Sequence, residues 1–147
     1  MLSACGFNLK GQYYLPENLQ TIHLSSSQHF SPLTKQVRLR LLQNQVKLIE
    51  MPTQGVSQVR ILPEQFQRRT LSLFPNGQVA EYELLYIAKF EVLLPEQDVQ
   101  VFDIELSREF QDDPNNALAK QRERELILNE LRVIASDRIL AQLNTVQ

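Results

Sequence analysis

The chain has 147 residues and a formal net charge of −2; 43% of its residues are hydrophobic and 22% charged. That length suits one domain, that composition supports a packed core, and that charge creates no overall field to draw the chain to nucleic acid, so an anionic ligand has to be met by a local basic patch. One cysteine excludes an internal disulfide, and no apolar run approaches the ~20 residues of a membrane-spanning helix.

That cysteine opens the chain. Leu2-Ser3-Ala4-Cys5 resembles a bacterial lipobox, in which small residues precede a cysteine that is cleaved to and acylated. On this reading residues 1–4 are the end of a removed signal peptide or a cloning remnant, and Cys5 is a lipid-carrying N-terminus. Gly6 then fits an outer-membrane address. The other reading is a small buried cysteine that happens to lie near the terminus. Residues 1–18, with their glycines, Pro16 and Tyr13-Tyr14, read as an extended tether. Residues 19–147 read as a single domain.

"LQTIHLS" alternates well enough for a strand over 19–25. In "FSPLTKQVRLRLLQNQ", Ser31 is a natural N-cap, Pro32 suits the first helical position, and Leu33, Val37 and Leu41 form an apolar stripe. No acidic residue occurs between Glu17 and Glu50, so Lys35, Arg38, Arg40 and Lys47 make this region cationic, most simply as a solvated face. "QVKLIE" is a short strand. "SQVRILPEQFQRRTLSLF" is a longer one in which Pro63 demands an edge, a bulge or a break. Asn76-Gly77 between two β-rich runs predicts a hairpin with a type I′ turn. Beyond it, Ala80, Tyr82, Leu84, Tyr86 and Ala88 share one face of the returning strand. Pro95–Asp98 is a second turn, and "VQVFDIELSREF" a further strand. Asp112-Asp113-Pro114 starts a long helix to about Leu140, polar at first and then apolar over a wide arc. The expected fold is an α/β two-layer sandwich, with two helices packed on one face of a mixed four-stranded sheet.

Catalytic signatures do not emerge. His23 and His29 are too few for a zinc site, and no phosphate-cradling glycine loop, GxSxG or HExxH occurs. Glu81, Glu83, Glu105 and Glu109 fit a solvated sheet face better than an acid/base pair. A binding or structural role is expected, not an enzyme, with no metal and no cofactor beyond the lipid on Cys5.

Four stretches carry a resemblance over Cys5 to about Leu140: "ACGFNLKG", "LFPNGQVAEYEL", "VLLPEQDV" and "REFQDDPNNALAKQRERE". They resemble LptE, the lipopolysaccharide-assembly lipoprotein family of Gram-negative bacteria. The resemblance implies an outer-membrane lipoprotein, anchored from the periplasmic side. It further implies a 1:1 plug inside the large LptD β-barrel that binds lipopolysaccharide, assists its transport to the outer leaflet and aids folding of the barrel. Lumens of barrels near 26 strands are polar and wide enough for a domain whose radius of gyration is about 14–15 Å. By resemblance the key lipopolysaccharide-binding cation is Lys120, with Arg122 and Arg124 beside it. Where the family's hairpin often carries a basic residue, this chain has Pro75, and Arg68 and Arg69 on the same strand, or Arg122 and Arg124 beside Lys120, are the candidate replacements. The tip Phe74-Pro75-Asn76-Gly77 is the expected barrel contact. The alternative is a lipoprotein that binds lipid or peptidoglycan without a barrel partner.

Overall fold

The computed structural model describes residues 13–147. Cys5 and the first part of the expected tether lie outside the described residues. The elements are β1 (Thr21–Ser26), α1 (Pro32–Gln43), β2 (Lys47–Ile49), β3 (Ser57–Ile61), β4 (Gln65–Leu73), β5 (Val79–Leu93), β6 (Gln100–Gln111) and α2 (Ala117–Leu143), with 3-10 turns at Glu17–Leu19 and Pro114–Asn116. Strand β1 runs parallel to β2 and β3, while β5 runs antiparallel to β3, β4 and β6. Both helices cover one face, as expected.

The sheet has six strands, not the expected four. The difference lies at Pro63. Residues 58–61 pair with 90–93 of β5, and residues 65–73 pair with 79–87 on the same side of β5. One lane is thus cut in two where proline cannot donate to the ladder. The three-residue β2 adds a short parallel edge.

Local chemistry sets the helix boundaries. The Ser31 hydroxyl accepts from the Thr34 N–H at 3.1 Å, and Pro32 occupies the first turn of α1. Leu33, Val37 and Leu41 are fully buried. Asp113 caps the 3-10 turn by accepting from the Asn115 N–H at 3.0 Å, so the α-helix itself starts only at Ala117. It ends at Leu143, slightly beyond expectation. Together α1 and α2 close over Ile22, Leu24, Val59, Ile61, Tyr86, Phe90 and Val92. Residues 13–18, expected as tether, already lie on this body: the Tyr13 N–H donates to Asn44 Oδ1 at 2.6 Å, and Leu15 is buried.

The molecule has a wide body and a narrower arm. The body holds β1, β2, β3, α1, the last residues of β5, the first residues of β6 and the C-terminal half of α2. The arm is a three-stranded ribbon of β4, the first part of β5 and the end of β6, under the N-terminal half of α2. At the arm's tip the turn differs from expectation. Pro75 fixes a negative φ at the first central position, the Gly77 N–H donates to the Phe74 carbonyl at 2.9 Å, and positive φ (84°) falls on Gly77 but not on Asn76. The hairpin is therefore a type I turn followed by a left-handed glycine, not type I′.

Candidate functional site

On the arm, the even-numbered residues of β5 and β6 point toward α2. Tyr82 and Phe110 are cross-strand partners whose rings stack with centroids 6.4 Å apart. The break at Pro63 sets the phase of β4 so that Arg68 lies opposite Leu84 and faces the same way. Its guanidinium sits 4.6 Å from the Tyr82 ring centre, and the Lys120 ammonium sits 5.3 Å from that of Phe110. Arg124 lies one helical turn beyond Lys120. These side chains, with Asp112, Ala117 and Gln121, enclose a solvent-open cavity of about 210 Å³.

Three cations thus line the cavity together with one carboxylate. That carboxylate is already engaged, because Asp112 accepts from the Tyr82 hydroxyl at 3.1 Å and from the Asp113 N–H at 2.9 Å. Lys120 is drawn toward Glu123 at 2.8 Å, an exposed i,i+3 pair of small energetic weight. Asp113 titrates below its ordinary value because the Asn116 side chain and the Asn115 N–H stabilise its charged form. Cations against aromatic faces beside an open cavity are suited to an anionic group such as phosphate, through charge-assisted hydrogen bonds.

Of the candidate cations, Lys120 and Arg124 meet in this pocket with Arg68. Arg122 is exposed outside the cavity. Arg69 lies on the opposite sheet face, in an ion pair of 2.5 Å with Glu83. Phe74, Pro75, Asn76 and Gly77 are all exposed at the tip of the arm, away from the cavity lining. Reading alternation straight along "QFQRRTL" cannot choose between Arg68 and Arg69, since the break at Pro63 resets it.

A second polar cluster, at the junction of arm and body, escaped the sequence reading. Released from the ladder by Pro63, Glu64 turns inward. Its Oε1 accepts from Arg132 Nε at 2.7 Å and from the Tyr86 hydroxyl at 2.8 Å. Burial and the Glu64 charge push the Tyr86 hydroxyl far above its ordinary pKa, so it stays a donor. Arg132 also lies over the Phe66 ring. The signal available in sequence was a glutamate directly after a strand-breaking proline.

Fold and pocket together describe a mixed α/β sandwich with a cationic, aromatic-walled recess. The chain matches the LptE lipopolysaccharide-assembly family over residues 19–143. It is 34% identical over 145 residues to the LPS-assembly lipoprotein LptE of Pectobacterium atrosepticum, covering 98% of this chain and 79% of that one. It is 34% identical over 142 residues to that of Yersinia enterocolitica, covering 96% and 69%. Among solved structures, rare lipoprotein B from Shewanella oneidensis superposes with a TM-score of 0.77 at 45% identity, over 84% of this chain and 92% of that one. A lipoprotein B from Nitrosomonas europaea shares the fold at 23% identity, with a TM-score of 0.71 over 95% and 90%. The chain belongs to the LptE family of lipopolysaccharide-assembly lipoproteins, whose role is assembly and not catalysis.

Proposed function

We propose that the chain is an outer-membrane lipoprotein, acylated at Cys5, that plugs the LptD β-barrel 1:1 and binds lipopolysaccharide during its passage to the outer leaflet. The observation that carries this reading is the arm pocket, where Arg68, Lys120 and Arg124 converge beside Tyr82 and Phe110. Lipopolysaccharide carries phosphates, and guanidinium and ammonium groups converging on one recess hold phosphate better than scattered surface charges do. The exposed tip Phe74-Pro75-Asn76-Gly77 is the surface offered to the barrel wall, and the domain's polar exterior suits a barrel lumen. Filling that lumen is also the means by which it aids folding of the barrel.

Two measurements test this. Lipopolysaccharide binding should fall at least tenfold in Lys120→Asp and in Arg68→Glu, with circular dichroism unchanged; unaltered binding by both removes the pocket. A pull-down of the full-length protein from detergent-solubilised outer membranes should bring down one heat-modifiable barrel per chain. A clean protein without a barrel would favour a lipoprotein that binds lipid or peptidoglycan on its own.

A further inference from the structure

Strand β6 pairs with β5 alone among the described residues, which leaves one long side of a 12-residue strand without a neighbour. Which backbone groups point outward can be deduced. In an antiparallel ladder the N–H and C=O of one residue point to the same side. The Lys89 carbonyl accepts from the Leu62 N–H on the β3 side, so odd-numbered β5 residues turn away from β6. The Ala80 carbonyl accepts from the Asp112 N–H, so even-numbered ones turn toward it. In the register Ala88↔Ile104, even β6 residues are therefore bonded to β5, and Val101, Asp103, Glu105, Ser107 and Glu109 present their N–H and C=O groups outward. Arg138 donates to the Glu105 carbonyl at 3.4 Å, which fits an outward-facing group.

The same odd residues put their side chains on the open sheet face, where all of them are exposed. Asp103, Glu105 and Glu109 form no ion pair among the described residues. Glu109 stands directly opposite another carboxylate, Glu83, which Arg69 already pairs; Glu105 stands opposite Ile87, and Asp103 opposite Lys89 without an ion pair between them. Like charges face to face across a ladder are unfavourable and are relieved by a nearby cation.

We infer that the free edge of β6 docks an extended polypeptide segment bearing basic side chains, which joins the sheet as a further strand. Main-chain bonds to the outward groups would supply affinity, and cations opposite Asp103, Glu105 and Glu109 would fix the register. A second copy of this chain is a poor occupant. Antiparallel self-pairing about Leu106 sets Asp103 against Glu109, and pairing about Ile104 sets Asp103 against Glu105. Pairing with another copy's β4 offers one cation on the open face, Arg69, which is already tied to Glu83. The inference is independent of the lipopolysaccharide reading, since it uses the opposite sheet face and a different edge.

The test is amide hydrogen exchange by NMR on the isolated protein, with a capped peptide Lys-Val-Thr-Val-Lys-Val-Lys as probe. The amides of residues 101, 103, 105, 107 and 109 should slow at least tenfold at saturation, while those of 102, 104 and 106, already bonded to β5, should change little. A peptide N-methylated along one edge should lose this protection, and the doubly substituted Glu105→Lys/Glu109→Lys protein should prefer the matching Glu peptide. Equal binding of the N-methylated peptide would reduce the contact to charge attraction and overturn strand addition. So would failure to bind, or protection of the same amides by raising protein concentration alone, which would make a second copy the occupant.

Discussion

Body and arm are built from the same long strand and the same long helix, yet they are held by different forces. In the body, Ile22, Leu33, Val37, Leu41, Ile61, Phe90, Val92 and Leu140 are all 0% exposed. Over the arm the apolar cover thins: Leu118 and Leu126 of α2 are 64% and 65% exposed, and Phe66 and Leu73 of β4 are 46% and 59% exposed. Backbone ladders, aromatic pairs and cation–aromatic contacts hold the arm together. The region that carries the pocket is thus the one where burial contributes least, as expected where a surface must stay open to a ligand.

The sharpest way to break this contrast is to delete equivalent side chains in the two regions. Phe90→Ala, which also removes the stack on Phe102, should cost about 3–5 kcal/mol in urea unfolding, whereas half-exposed Phe66→Ala should cost about 1 kcal/mol. Equal losses would mean that the arm is packed as firmly as the body. At the junction, Glu64→Ala strands Arg132 and the Tyr86 hydroxyl and should cost about 3 kcal/mol, with Glu64→Gln recovering part of it. At the arm's tip, Gly77→Val forces a branched residue to φ 84°. It should cost about 1–2 kcal/mol and speed exchange of β4 amides while leaving α1 amides alone. Ser31→Ala should lower stability by about 1 kcal/mol and act only on the body. The smallest effect is electrostatic. Because Asp113 titrates lower folded than unfolded, its contribution is present above the ordinary aspartate value of 3.8 and is lost as pH falls through the lowered one. Acid titration by NMR should therefore show the 3-10 turn at Pro114–Asn116 loosening below that value, and Asp113→Asn should abolish the change.

Much of the body was legible because its signals are local. The Ser31 cap, the Leu33–Val37–Leu41 stripe and the alternation of β1 and β5 each lie within a few residues. The arm was less so. Asn76-Gly77 announced the hairpin, but Pro75 moved the turn by one position. Pro63 announced an interruption, but not that the two pieces would remain on one side of β5 or that Glu64 would turn inward to Arg132, 68 residues away. Lys120 and Arg124 were adjacent on a helix and therefore readable as neighbours. Arg68 joins them only through sheet register, which alternation interrupted by a proline does not specify. The free edge of β6 was invisible for the same reason: an edge is defined by which strand fails to arrive.

The interruption at Pro63 also gives the molecule a mechanical character. Strand β5 runs unbroken from the tip of the arm into the body, and helix α2 runs unbroken from the arm pocket into the body, like the two flanges of a beam. The lane of β3 and β4 is notched halfway, with the Glu64–Arg132–Tyr86 cluster seated in the notch. With β5, β6 and α2 all continuous past that level, the notch is where the arm has the least backbone to resist bending. A lateral load on the exposed tip would be delivered to one buried carboxylate.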